Sequence, residues 1–212
     1  MIGGMSKKIV FYIVFFALLG IAFLGYSGYV IRSEQGSFFG KEKLPVLGTN
    51  GHYIGGFSFV NQEGRTITNN DVKGKVYVAE YFFTTCTGIC PKMNANMQKV
   101  YAVYKNEPDF RILSHTVDPE NDSVPVLKAY AALHGADPKN WWFLTGTKKE
   151  LYNLARQGYL VDDGTYTGED DFVHTQWFAL VDGEGRVRGL YEGTKKPDVD
   201  KLIADIARLL KE

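Results

Sequence analysis

From Val76 to Met97 the chain reads VYVAEYFFTTCTGICPKMNANM, and no other stretch constrains the fold as tightly. Val76–Phe83 is apolar apart from Glu80, the pattern of a buried strand. Thr84, Thr85, Thr87 and Gly88 then make a turn. Pro91 suits the first position of a helix, where its missing N–H has no intrahelical partner to lose. Met93, Met97, Val100, Tyr101 and Tyr104 continue at helical spacing. A strand, a turn and a helix follow one another, and both cysteines of the chain, Cys86 and Cys90, lie at the turn.

Cys90 stands beside the helix N-terminus, whose positive partial charge favours thiolate over thiol. Two such sulfurs can form a disulfide, exchange one, or hold a soft metal ion; a purely structural thiol pair is the plain alternative. Three residues separate the cysteines, where two would suggest a thioredoxin redox motif. On a helix this spacing puts Cβ atoms ~5–6 Å apart, wider than the ~3.8 Å a relaxed disulfide takes, and it suits two corners of a metal site. The turn could still adjust to close a disulfide, a strained one.

With 24 basic and 24 acidic residues and a net charge of zero, the chain lacks the basic balance of a nucleic-acid binder. Ile9–Ile31 carries no charge and is long enough to cross a bilayer. Lys7 and Lys8 precede it, so the N-terminus is expected in the cytoplasm. The competing reading is a cleaved signal peptide, but its apolar core would be shorter and end in an A-x-A-like site, which is not evident here. The expected division is a cytoplasmic 1–8, a transmembrane anchor 9–31, a polar tether 32–43 and one domain over 44–212, held outside the cytoplasm where disulfides are permitted.

Within the domain, Phe57–Asn61 and Arg65–Ile67 flank Gln62-Glu63-Gly64 as a hairpin. Asn69, Asn70 and Asp71 offer caps for a short helical turn. After the cysteine helix come a strand at Phe110–Val117, a helix begun by Ser123 and Pro125, a strand at Trp141–Leu144 and a helix capped by Thr147. Asp162–Asp171 is an acidic loop, read as solvated or as an interaction surface. His174 follows, then a hairpin of Gln176–Val181 and Arg186–Tyr191, and an amphipathic helix carrying Val199, Leu202, Ile206 and Leu209. This order predicts an α/β fold, a thioredoxin-like sandwich with a central mixed sheet. Sites in such sheets gather at the carboxyl ends of strands, where the cysteine turn and the Asp118 loop both lie.

Of four histidines, His52 lies in the leading segment, His115 within a strand as scaffold, and His134 at a helix end where a charged imidazole suits the dipole. His174 ends a polar loop directly before a strand, from which it could face the cysteines. Asp118 and Asp122 read as a turn and a helix cap, or as support for the site or a docking surface.

The segments TTCTGICPKMN, TVDPENDSVPVLKAYA, WWFLTGT and DFVHTQWFALVDGEGRVRGLYEGT together resemble the Sco/SenC family, from about Leu44 to the C-terminus. Those are membrane-anchored, thioredoxin-fold copper proteins that serve cytochrome c oxidase assembly. The resemblance implies copper, as Cu(I) or Cu(II), on Cys86, Cys90 and His174. It also implies a copper-receiving oxidase subunit as partner, a possible copper donor protein, and a single-pass location in the inner (cytoplasmic) membrane with the domain on the periplasmic side. Thiolates select Cu(I) and imidazole accepts either state. Val173 stands where many members have an aspartate, which puts that carboxylate's role in doubt here.

Two functions follow: a copper metallochaperone, or a thiol-disulfide oxidoreductase reducing the target's cysteines with Cys86 and Cys90 as the redox pair. His174-Thr175 stands where thioredoxin-like oxidoreductases carry a cis-proline, which favours metal binding. A peroxidase of peroxiredoxin type would want an arginine and a spacing that the turn does not supply.

Overall fold

A computed structural model describes residues 7–38, 43–49, 51–162 and 175–212. Its contacts divide the chain into two units, Met1–Lys43 and Leu44–Glu212. The first unit is the helix α1, Lys7–Phe38. Its span Lys8–Tyr29 is long and apolar enough to cross a membrane. The helix runs on past Ile31 into the segment expected as a polar tether. Arg32, Ser33, Glu34 and Gln35 contain no proline, so nothing there removes the i→i−4 bonds.

The second unit is built on one seven-stranded sheet. Its strands are β1 (Ser58–Asn61), β2 (Thr66–Thr68), β3 (Val76–Phe82), β4 (Phe110–Thr116), β5 (Trp141–Thr145), β6 (Trp177–Val181) and β7 (Val187–Glu192). They lie in the order β2-β1-β5-β4-β3-β6-β7. Neighbours β3, β4 and β5 run parallel, while β1, β2, β6 and β7 join antiparallel. The parallel pairs need crossovers, supplied by the helices α3 (Cys90–Tyr104) and α4 (Val124–Leu133). The mixed thioredoxin-like sheet expected from the element order is the one observed.

All of β3 is buried. Its alternate residues divide between two cores, as the two-residue period of a strand requires. Val76, Val78 and Phe82 pack with Met93, Met97 and Val100 of α3, Leu127 of α4, and Val199, Leu202 and Ile206 of α6 (Lys196–Leu209). Tyr77, Ala79 and Tyr81 pack on the other face with Leu113, Leu151, Leu154, Ala155 and Tyr159. Leu151 belongs to α5 (Lys148–Asn153), which continues into a π-helical turn, Leu154–Gly158. Thr147 caps α5, its hydroxyl accepting from the Glu150 amide at 3.3 Å. The N-cap of the short helix α2 (Asn69–Val72) is Thr68 and not an asparagine: the Asp71 carboxylate accepts from the Thr68 amide at 2.8 Å and from its hydroxyl at 3.0 Å.

Candidate metal centre

Register brings three chain segments to one end of the sheet. β3 and β4 are parallel with Phe82 opposite Thr116, so the cysteine turn and the Asp118 loop leave side by side. The Val117 amide donates to Phe82 O at 2.8 Å and holds that exit closed. β6 is antiparallel to β3, with Ala179 opposite Ala79. Its start therefore meets the end of β3. Tyr81, Phe83, Cys86, Ile89, Cys90 and Thr175 are among the residues lining a cavity of about 350 Å³ there. Thr175 directly follows His174, and His174 itself lies outside the described residues, as do Val173 and the stretch 163–171 of the acidic loop. Among the described residues, no group of three or more potential ligands comes together.

Both cysteines are free, Cys90 buried and Cys86 half-buried. Cys90 opens α3, with Pro91 in the first turn as expected. Cys86 lies outside the helix, its amide donating to Phe83 O at 3.2 Å, so the spacing of two helical positions does not describe the pair. The two cysteines nonetheless line the same cavity. Burial works against the thiolate that the helix end favours. Burial, with the hydrogen bond to Cys86 behind it, pushes the Cys90 thiol up to about 12, only partly offset by a bond from the Phe83 backbone. A helix end stabilises a charge by roughly 0.3–1 kcal/mol, whereas burial of a thiol shifts it by several pH units.

Asp122 is 1% exposed and does not cap α4, whose N-cap position is Ser123. Its carboxylate accepts from the Thr84 and Thr116 hydroxyls and from the Thr84 amide, the last at 3.3–3.4 Å. It therefore ties the turn carrying Cys86 to the end of β4. Asp118 holds its own loop, with its amide donating to Thr116 Oγ1 at 2.9 Å and its carboxylate accepting from Asn121.

His115 is fully buried on the far face of the sheet, stacked on Tyr81 at 5.1 Å, with Nε2 3.2 Å from Tyr159 Oη. Burial lowers it to about 3, a neutral scaffold ring. His134 closes α4 as expected, where burial lowers its pKa and works against the charge that would suit the dipole. His52 Nε2 pairs with Gly158 O at 2.9 Å. Glu80, which merely interrupted an apolar run in the sequence, is buried on the Cys90 side of β3. Burial raises its carboxyl to about 7 against the opposing hydrogen bond from Ser114. An acid inside a strand otherwise made of core residues was the available signal for it.

Comparison with known proteins agrees with this geometry. A family model described as SCO1/SenC matches residues 47–211. A SCO1 protein homolog of Bacillus subtilis is 37% identical over 152 residues, 71% of this chain and 79% of that protein. Among solved structures, a SCO1/SenC family lipoprotein from Bacillus anthracis superposes with a TM-score of 0.65 at 33% identity, covering 75% of this chain and 95% of that one. Yeast Sco1 with copper bound gives a TM-score of 0.55 at 26% identity, covering 72% and 87%. The matched stretch contains both cysteines, Thr175 and every strand of the sheet, and by it the chain belongs to the SCO1/SenC family.

Proposed function

We propose that this protein is a copper metallochaperone that binds one copper ion through Cys86, Cys90 and His174 and passes it to a copper-receiving subunit of cytochrome c oxidase. The observation that carries the reading is the shared cavity: two free cysteines and the residue after His174 line one pocket at the end of the sheet. The donor set fits the ion, since two soft sulfurs suit Cu(I) and an added imidazole suits Cu(II). Yeast Sco1 has been solved with copper bound, and BsSco, 33% identical, is described as a member of the Sco family of cytochrome c oxidase assembly proteins. In this reading 1–8 is cytoplasmic, 9–31 anchors the chain in the inner (cytoplasmic) membrane, 32–43 is the tether, and 44–212 works on the periplasmic side. The test is copper content of the purified protein. Wild type is expected to hold one ion, and Cys86→Ala and Cys90→Ala each to lose tight Cu(I) binding. Undiminished Cu(I) binding in both variants would end the proposal.

A second reading, thiol-disulfide reductase, is favoured by the two free cysteines in one cavity and by the disulfide switch identified in BsSco. Against it, Thr175 and Gln176 precede β6 with no proline between them. Reduction of a target disulfide at equal rates in wild type and His174→Ala, with no copper retained by either, would favour this reading over the first.

A further inference from the structure

Glu80 is 1% exposed in a strand whose other members are apolar or aromatic. Opposite it on β4 is Ser114. The Ser114 hydroxyl donates to Glu80 Oε1 at 2.6 Å and accepts from Trp141 Nε1 at 2.9 Å. The indole proton thus turns the hydroxyl proton toward the carboxyl, and that bond favours the carboxylate form. The second oxygen, Oε2, is buried with no hydrogen-bond partner.

Strand alternation puts Glu80 on the same side of β3 as Val78 and Phe82, which pack with Cys90 and Met93. Asn94, one turn beyond Cys90 on α3, is equally buried. Its Nδ2 donates to Tyr130 Oη at 2.5 Å, and its Oδ1 has no partner. Tyr130 in turn stacks on Phe82 at 5.2 Å. Cys90 and Tyr130 both belong to the packing on that face of β3. A carboxyl with an unused oxygen therefore lies behind the cysteine turn, inside a core where water does not screen it.

We propose that Glu80 sets which copper oxidation state the Cys86–Cys90 site prefers, its carboxylate holding Cu(II) more firmly than Cu(I). This rests on the copper reading above. A buried negative charge attracts a doubly charged ion about twice as strongly as a singly charged one at the same distance. Burial raises the carboxyl to about 7; with two thiolate ligands the Cu(II) site is neutral and the Cu(I) site carries one negative charge, which a carboxylate repels. The redox step is a one-electron reduction of bound Cu(II) to Cu(I) by an external electron donor; no covalent bond in the protein forms or breaks. Glu80 does not touch the ion in this account. It is a positioning residue acting through its field.

The test is the Cu(II)/Cu(I) reduction potential of the copper-loaded full chain in detergent, titrated anaerobically at pH 8 with one-electron mediator dyes. Glu80→Gln keeps the shape and removes the charge. It is expected to shift the Cu(II)-to-Cu(I) affinity ratio at least tenfold toward Cu(I), a rise of about 59 mV or more for a one-electron couple. Glu80→Asp keeps the charge and is expected to stay near wild type. Ser114→Ala, which removes the bond favouring the carboxylate, is expected to move the potential in the direction of Glu80→Gln by a smaller amount. Potentials for Glu80→Gln and Ser114→Ala both within twofold of wild type in affinity ratio would overturn the proposal, as would Glu80→Asp matching Glu80→Gln. Should Glu80→Gln not fold, Ser114→Ala decides by the same criterion. Wild type that takes up no copper would instead refute the copper reading itself, and this inference with it.

Discussion

His115 shows how far a single side chain's role follows from where it is buried. Its ring is enclosed by Tyr81, Phe59 and Tyr159, and Nδ1 has no partner. Burial lowers it to about 3, against about 6.5 when unfolded. Between those values the unfolded chain binds a proton that the folded one does not. Stability contributed by this site is therefore complete above about pH 6.5 and falls as the pH drops toward 3, by at most about 1.4 kcal/mol per pH unit. Replacing His115 with Phe is expected to flatten that acid loss, measured by urea unfolding at pH 7 and pH 4.5, and to leave copper binding unchanged. An equal acid loss in the variant would refute the burial argument. Glu80 pulls the other way: its folded value is raised to about 7 from 4.5, so its contribution is lost as the pH rises through that window. The scaffold role of His115 was legible in its strand position. The burial of Cys90 was not, because a helix end is visible in sequence while the depth of burial depends on α3, β3 and β6 coming together.

At the scale of elements, strand 76–82, helix 90–104 and the closing hairpin and helix were legible, since each has clear periodicity and its own turn chemistry. The function of the Asp118–Asp122 loop was not. Its local pattern describes a turn, and only the pairing of Phe82 with Thr116 reveals that Asp122 gathers Thr84 and Thr116. Asp122→Ala leaves those donors without their acceptor and frees the turn carrying Cys86. It is expected to cost about 1–3 kcal/mol by denaturant unfolding and to weaken copper binding without removing a ligand. A variant as stable as wild type, with unchanged copper affinity, would show that the turn holds its shape alone. The continuation of α1 to Phe38 was not legible for a related reason: polar composition describes a tether without saying whether it is helical, since it breaks no backbone hydrogen bond.

At the scale of the whole molecule, the ends of the domain are clamped by one buried arginine. Arg188 donates to Leu44 O and Pro45 O, pairs with Asp182 at 2.9 Å, and reaches Glu212 at 2.9 Å. The Leu44 amide also donates to Glu212 at 3.3 Å. Arg188→Ala strands these acceptors and is expected to destabilise the domain by roughly 3–5 kcal/mol, read from its unfolding midpoint; a loss under 1 kcal/mol would mean that the clamp is solvated in solution. The proposed orientation in the membrane rests on Lys7 and Lys8, so a reporter active only in the cytoplasm, fused after Glu212, is expected to be silent, and an active one would reverse the topology. The central claim is the ligand set, Cys86, Cys90 and His174. X-ray absorption at the copper edge of the Cu(II)-loaded protein tests it most directly. The account predicts sulfur and imidazole scattering in wild type and in His115→Phe, with the imidazole signal lost in His174→Ala. An imidazole signal that survives in His174→Ala, or disappears in folded His115→Phe, would contradict it.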